Sequence, residues 1–190
     1  MNSLGGTPIY LLSFVVQIVT FVLLIRMLLQ WVRADFFNPI SQNVFKLSAP
    51  VVDPLGKLLP TIGTLNLAAL AAAILVKWGF YLVLGLSSGI SFVAMLVYIP
   101  IAAFDLLYAL IEIYFWGIII LAVSSWIGTT SHPSVRLVGQ IVDPYIRPFR
   151  NLIPPIGMID ISSMVAILVL IMVRNKLLPL AAGLLQSVLG

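Results

Sequence analysis

The sequence predicts an all-α membrane protein built from two tandem copies of one unit, in which a proline-rich loop joins two membrane spans. Three observations predict this fold class. Hydrophobic residues make up 62% of the 190-residue chain and charged residues only 8%, whereas soluble domains carry about a quarter charged residues. The apolar residues form runs long enough to cross a bilayer. Two loops between these runs repeat the same proline spacing.

The first and last predicted spans both contain basic residues. An apolar run predicts the first span at about 9–31, with Arg26 close enough to its end for the side chain to reach the lipid headgroups. The last span is predicted at about 161–181. Arg174 and Lys176 interrupt it, and we expect the helix to continue through them with these charges facing protein.

The two middle spans come from one long apolar stretch. Residues 67–127 are far too many for a single crossing, and Ser87-Ser88-Gly89 is a natural break. We therefore predict spans at about 67–86 and 103–126. Residues 87–102 remain between them and form an interfacial helix, a helix extension or a further span.

The loops, 32–66 and 127–160, carry the repeat. In the first, Asn38 precedes Pro39 as a helix cap would, and Ile40, Val44 and Leu47 fall on one helical face, which predicts a short amphipathic helix on the membrane surface. The later prolines predict an extended, turning path. A glycine then permits the final turn, and Asn66 or Asp160 can cap the next helix.

The internal repeat is defined by prolines in register. Pro39 and Pro133 are 94 residues apart, and the same offset aligns three further prolines and an Ile-Gly pair. We therefore predict two repeats, 1–90 and 91–190. The motif either directs the chain back into the membrane or serves as a docking surface. Its residues are Pro39, Pro50, Pro54, Pro60 and Gly63 in the first copy, and Pro133, Pro144, Pro148, Arg150, Pro154 and Gly157 in the second.

The block RMLLQWVRADFFNPISQNVFKLSAPVVDPLGKLLPTIG and its echo SSWIGTTSHPSVRLVGQIVDPYIRPFRNLIPPIG resemble the YggT family, also called YlmG. The resemblance covers nearly the whole chain. It implies an integral protein of the bacterial cytoplasmic membrane, or of chloroplast membranes in plants. Members have been linked to cell division or nucleoid distribution, cytochrome assembly, and osmotic or ion homeostasis, but the resemblance carries over no catalytic residue. The two copies differ where Arg150 stands in place of Gly56.

Basic residues predict the orientation. Both repeat loops carry Lys or Arg, whereas the N-terminal tail and the break between the middle spans carry none. The positive-inside rule therefore places both loops in the cytoplasm and the N-terminus outside, with parallel repeats. An additional span at 87–106 would place one basic loop on the wrong side. The basic residues of the loops include Arg33, Lys46 and Lys57, and then Arg136, Arg147 and Arg150.

Charged residues within the spans are costly and therefore candidates for a functional site. They are Lys77, Asp105, Glu112 and Arg174. Lys77 and Glu112 lie at similar predicted depth, so we expect them to pair, with Arg174 as a second candidate partner for Glu112. Asp105 is a candidate partner of Lys176. Such pairs either orient the helices or form part of a path for a cation or proton.

Composition excludes several kinds of chemistry. The chain has no cysteine and one histidine, His132, which excludes disulfides and multi-histidine metal sites. His132 precedes Pro133 as Asn38 precedes Pro39, so we expect it to cap a helix. There is no phosphate-binding or dinucleotide-binding glycine motif, and Ser124 has no evident base nearby in the sequence. We expect no enzyme activity, no cofactor and no metal site.

These observations predict a non-enzymatic scaffold or assembly factor, whose basic proline-rich loops dock partner proteins at the cytoplasmic face of the membrane. The alternative is a transporter, channel or modulator in ion homeostasis and osmotic stress tolerance that uses the charges within the spans. The expected partners are the lipid bilayer and cytoplasmic-face proteins, with no direct contact to nucleic acid. Small residues such as LAALAAA in the second span make a homo-oligomer a further hypothesis.

Overall fold

A computed structural model describes residues 6–153 and 161–189, which are mostly helical. The all-α prediction is therefore confirmed, apart from one short hairpin. The elements are α1 (Gly6–Trp31), α2 (Pro39–Gly56), β1 (Thr61–Ile62), β2 (Leu65–Asn66), α3 (Leu67–Ser87), α4 (Phe92–Met95), α5 (Tyr98–Ile127), α6 (Pro133–Leu152), α7 (Ile161–Met172), a π-helical segment (Val173–Leu177) and α8 (Leu178–Leu189).

Four stretches of helix are long and apolar enough to cross a membrane, and the chain is thus a multi-pass membrane protein. In the described part of the chain they are Pro8–Trp31, Leu67–Ser87, Phe92–Ile127 and Ile161–Leu184. In none of them is more than 22% of the most apolar window buried inside the protein. The remaining apolar surface suits lipid rather than water.

The region between the middle spans resolves one open prediction. The third span was expected to begin at about 103, but α5 already begins at Tyr98. Residues 87–102 hold a turn, the short helix α4 and the first residues of α5. Ser91 caps α4 through a hydrogen bond from the backbone N–H of Ala94. The described residues therefore contain a helix extension here and no additional span.

The helices divide into two compact units. Unit 1 contains the chain up to Trp31 together with Gln42–Leu106, and unit 2 contains Val32–Ser41 together with the chain from Leu107 onward. Helix α2 thus begins in unit 2 and continues in unit 1. The boundaries of the units differ from those of the predicted repeats because they reflect three-dimensional contacts rather than sequence similarity.

Unit 1 is built on the packing of α1 against α3. Leu24 and Leu28 of α1 are buried, as are Ala69, Ala72 and Ala73 of α3. Alanine side chains let two helix backbones approach closely, which favours association where water supplies no hydrophobic driving force. The small residues of the second span are therefore used within the chain.

The hairpin β1–β2 returns the chain to the start of α3. Gly63 occupies its turn with φ +62°, a left-handed conformation that favours glycine. Asn66 then caps α3, since its Oδ1 accepts a hydrogen bond of 2.9 Å from the backbone N–H of Ala69. Both predictions for the end of the first loop are confirmed. The corresponding Gly157 and Asp160 of the second copy lie outside the described residues.

The path of the loop prolines was predicted wrongly. Helix α2 continues through Pro50 and Pro54, and α6 continues through Pro144 and Pro148. Prolines four residues apart stand on one side of a helix, so the missing N–H groups also fall on one side. Elsewhere in α2, Ser48 and Arg26 donate side-chain hydrogen bonds to the carbonyls of Val44 and Phe45, which lie six and five residues before Pro50.

Unit 2 packs α6 against α5 and α7. Its buried cluster consists of Ile118, Val142, Ile146, Ala166 and Leu170. Gly117 allows α5 and α6 to approach closely, because a Cβ atom there would lie 2.5 Å from Cγ2 of Val142.

The last span continues through its charges, as predicted, but Arg174 and Lys176 are both exposed instead of facing protein. Helix α7 passes directly into the five-residue π-helical segment, and α8 follows without a break. Arg174, Asn175 and Lys176 all lie in this segment. Short π-helical segments within α-helices are uncommon and are frequently found at functional sites.

Candidate functional site

The two loop helices begin with the predicted caps. Asn38 Oδ1 accepts a hydrogen bond of 2.9 Å from the backbone N–H of Ile40, and His132 Nδ1 accepts one of 3.3 Å from that of Ser134. Asn38 also donates through Nδ2 to the carbonyl of Pro133 at 2.9 Å. Within unit 2, the first residue of α6 is therefore bonded directly to the residue that caps α2.

Arg26 joins the first span to the first loop helix. Its guanidinium donates to the Asp53 carboxylate at 2.8 Å, to Ser48 Oγ at 3.1 Å and to the carbonyl of Phe45 at 3.3 Å. The guanidinium carbon lies 5.1 Å from the centre of the Phe45 ring, within cation–π range. The Arg26 side chain is only 9% exposed. The expectation that Arg26 reaches the headgroups is thus wrong, because α2 covers it.

The apolar stripe predicted on the first loop helix faces outward. Ile40 and Leu47 are exposed, whereas Ser41, Ser48 and Val52 form the buried side of α2. The helix therefore presents one buried face and one exposed apolar face. This second face is the kind of surface that an interfacial helix places in the headgroup region.

In the second loop helix, charged residues gather on one side. Arg147 lies 2.5 Å from the Asp143 carboxylate, and Arg150 lies 3.7 Å from it. Arg136 and Gln140 lie seven and three residues before Asp143 and so share its side of α6. We call the residues Arg136, Gln140, Asp143, Arg147 and Arg150 the arginine face.

The opposite side of α6 is fixed to α7. The Tyr145 hydroxyl donates to the carbonyl of Ala166 at 2.8 Å. The Tyr145 ring packs against Tyr114 and Phe149, with ring centres 5.4 and 5.3 Å away. Burial raises the pKa of the Tyr145 phenol above its usual value, so the hydroxyl stays protonated and keeps donating. The helix α6 of the second loop is thus held in place on its α7 side.

A groove of about 1000 Å³ lies in unit 2 beside the arginine face. All five residues of that face line it. Its other walls are mainly apolar and come mostly from α5 and α7, with Leu121, Ala122, Trp126, Met164 and Ile167 among the lining residues, although Ser125, Thr130 and Ser163 also line it. The groove thus has one cationic side and an apolar interior. It lies where α5 and α7 adjoin α6.

Two of the four charges within the spans form a pair. Arg174 lies 2.8 Å from Glu112, and Trp116 donates through Nε1 to the other carboxylate oxygen of Glu112 at 3.1 Å. The second candidate partner of Glu112 is therefore confirmed. Both residues are near the middle of their spans, where an ion pair avoids the cost of placing a single charge in hydrocarbon.

The other two charges within the spans belong to unit 1. The carboxylate of Asp105 accepts a hydrogen bond from the Tyr81 hydroxyl. Lys77 is half-buried in α3. The predicted partners of these residues, Glu112 and Lys176, are in unit 2, so the pairs Lys77–Glu112 and Asp105–Lys176 stay predictions.

Most motif prolines in the described residues are exposed, and Pro144 is half-buried. Pro154 lies outside the described residues. Sequence reasoning missed Asp53, Ser48 and Tyr145 as residues that fix the loop helices. A signal was present for Asp53, since a carboxylate in a basic loop beside a span with a single arginine predicts an ion pair. Ser48 and Tyr145 had no comparable signal.

The comparison with known proteins also shows the internal repeat. The CCB3/YggT family model matches the chain twice, at residues 6–87 and 100–181. The uncharacterized protein YggT of Escherichia coli strain K12 is 34% identical over 89% of this chain and 88% of its own. An uncharacterized protein of Pseudomonas aeruginosa is 33% identical over 90% of this chain and 87% of its own, and one of Haemophilus influenzae is 30% identical over 96% and 97%. No solved structure matches significantly.

Proposed function

This chain belongs to the CCB3/YggT family, and we propose that it is a non-enzymatic scaffold of the bacterial cytoplasmic membrane whose loop helices dock partner proteins. The observation that carries the proposal is that each proline-rich loop contains a folded helix, α2 or α6, which packs against the spans. A preformed surface loses little conformational entropy on binding, so it suits the capture of a partner.

The anchors support this role. Arg26 holds α2 to the first span, and Tyr145 holds α6 to α7. Such contacts hold the exposed prolines and basic residues of each loop helix in place beside the spans of its own unit. Exposed proline rings remove backbone donors without adding flexibility, and Arg side chains supply directional hydrogen bonds to acidic partners.

The orientation belongs to the same proposal. We propose that the N-terminus is outside and that both loops face the cytoplasm, because basic loops stay on the cytoplasmic side. All three relatives named above are bacterial, which supports a bacterial membrane. A cysteine introduced at Ser131 should be protected from an impermeant thiol reagent in intact cells, and one introduced at Ser88 should be labelled.

The test of docking compares loop variants with a span variant. Photocrosslinking and pull-down from native membranes should recover the same partner from wild type and Glu112→Gln. The double variants Lys46→Ala/Lys57→Ala and Arg147→Ala/Arg150→Ala should lose that partner while keeping expression and thermal stability. Equal recovery of the partner by all four proteins would contradict docking by the loops.

A second candidate function rests on Glu112 and Arg174. Their ion pair lies within the spans, and Arg174 is in the π-helical segment. Such a pair suits a transporter, channel or modulator of ion movement in osmotic stress. In reconstituted vesicles, that function requires a cation or proton flux that Glu112→Gln abolishes and Arg147→Ala/Arg150→Ala preserves. Absence of any flux from the wild-type protein would exclude it as an intrinsic activity.

A further inference from the structure

We propose that the groove of unit 2 binds an anionic phospholipid, with an acyl chain against α5 and α7 and the phosphate at the arginine face. This inference goes beyond docking and does not depend on it. The groove has a volume of about 1000 Å³, at the upper end of the range of about 300–1,000 Å³ typical of sites for small molecules.

The shape of the groove matches an amphiphile. Leu121 and Ala122 of α5 and Met164 and Ile167 of α7 line its apolar side, and all four lie in the membrane spans. The arginine face lines the other side and belongs to α6, outside the spans. One molecule that reaches both sides must therefore have a long apolar part and a polar head.

The positive charge of the arginine face favours an anionic headgroup. Three arginines stand beside a single carboxylate, Asp143, which two of them already approach. The face thus keeps a net charge of +2, from three positive and one negative side chain. Guanidinium groups bind phosphate through paired hydrogen bonds, and basic pockets between spans at the membrane surface bind anionic lipid headgroups.

The groove also lies at a suitable depth. Trp126, at the end of α5, lines it and is 87% exposed. Exposed tryptophans at the ends of spans mark the boundary between hydrocarbon and headgroups. The arginine face begins ten residues later at Arg136, beyond the end of this span at Ile127, so we expect its guanidinium groups at the level of the lipid phosphates.

The first repeat provides an internal comparison. At the offset of 94, Gln42, Lys46, Ala49, Asp53 and Gly56 correspond to the five residues of the arginine face. That set has no net charge, and Asp53 is already bonded to Arg26. The lipid site is therefore a property of the second copy alone, and we expect one bound lipid per chain.

The experiment measures lipid retained by the full-length chain. Purified protein is incubated with equal amounts of phosphatidylglycerol and phosphatidylcholine of the same acyl composition, and native mass spectrometry counts the lipids that remain bound. The wild type should keep one phosphatidylglycerol in preference to phosphatidylcholine. Arg136→Gln should reduce this preference about tenfold, because one charge-assisted hydrogen bond to the phosphate is lost. Arg136→Lys should restore most of it.

A second pair of variants tests the apolar wall without changing charge. Ala122→Phe places a ring in the groove and should abolish retention of both lipids. Val123→Phe is the matched control, since Val123 is an exposed neighbour that does not line the groove, and it should bind as the wild type does. Thermal unfolding of each variant identifies any that fails to fold.

Two outcomes would overturn the proposal. Equal retention of the two lipids by the wild type would show that the arginine face does not select a headgroup. Wild-type retention of phosphatidylglycerol by a folded Ala122→Phe protein would place the lipid elsewhere. Partner capture through the loops is measured in a separate experiment. Neither outcome for lipid binding therefore decides the scaffold proposal.

Discussion

The guanidinium of Arg26 lies 2.8 Å from the carboxylate of Asp53 and joins the first span to the first loop helix. The two ends of this contact differ in environment, because the Arg26 side chain is 9% exposed and that of Asp53 is 60% exposed. The second copy has no such bridge. Ile120 stands in place of Arg26, and Arg147 stands in place of Asp53. The two loop helices are therefore fixed by different contacts.

The first prediction concerns this contact. Arg26→Met should lower the free energy of unfolding by about 2 kcal/mol, because three acceptors on α2 lose their common donor at once. Asp53→Asn should cost less than about 1 kcal/mol, since its carboxylate is largely exposed. Thermal unfolding in detergent, followed by circular dichroism, measures both, with Lys46→Met as a control on the same helix. An equal loss from Asp53→Asn would mean that the carboxylate alone holds α2.

A second prediction tests the ion pair within the spans of unit 2. Glu112→Leu should lower stability by roughly 2–3 kcal/mol, because Arg174 would be left near mid-membrane without its partner. The double variant Glu112→Leu/Arg174→Leu should be more stable than Glu112→Leu. A double-mutant cycle of unfolding in mixed micelles gives the coupling energy.

A second double-mutant cycle examines Lys77, the other predicted partner of Glu112. Lys77→Leu combined with Glu112→Leu should be milder than either single change if those two residues pair. Additive losses would count against that pairing and leave Arg174 as the partner. A coupling energy near zero in both cycles would remove the ion pair as a stabilising element.

A third prediction concerns the close approach of α5 and α6. Gly117→Ala should destabilise the protein by about 1–3 kcal/mol, because the added methyl group would overlap the Val142 side chain. Gly117→Ala/Val142→Ala should recover most of the loss by removing the overlapping atoms. Gly79→Ala is the matched control, since its Cβ would meet nothing within 4 Å, and it should be neutral or slightly stabilising. Failure of the double variant to recover would refute the overlap.

The fourth prediction concerns the start of the second span. Asn66→Ala should cost about 1 kcal/mol, because the backbone N–H of Ala69 would lose its acceptor. Asn66→Asp keeps the capping oxygen but loses the hydrogen bond that Asn66 Nδ2 donates to Gln30 Oε1, so it should recover only part of the stability. Hydrogen–deuterium exchange at the first turn of α3 is the most direct measurement. Unchanged exchange in Asn66→Ala would show that the hairpin, rather than the cap, fixes this helix end.

Features that depend on neighbours along the chain were predicted well. The spans at 9–31 and 67–86 lie within a few residues of α1 and α3, and the family model confirms the duplication by matching twice. The caps at Asn38, Asn66 and His132 were also predicted, because a capping side chain bonds to a backbone N–H only two or three residues away.

Features that depend on residues far apart in the chain were not predicted from the sequence. The extended path was predicted because proline removes a backbone donor, but α2 continues through Pro50 and Pro54 and is held to α1 by Arg26. The partner of Arg26 was missed for the same reason, since Asp53 is 27 residues away along the chain. The side of α2 that is buried also depends on what packs against it.

The sequence by itself determined a duplicated, four-span helical protein with proline-rich loops, because hydropathy, helix caps and repeats are properties of short stretches of chain. Only the tertiary structure decided that α2 and α6 continue through their internal prolines, that Arg174 is the partner of Glu112, and that the arginine face adjoins an apolar groove. Each of these depends on side chains from different helices meeting in space. Segments of equal hydropathy can pack in many ways, and only contacts between them select one.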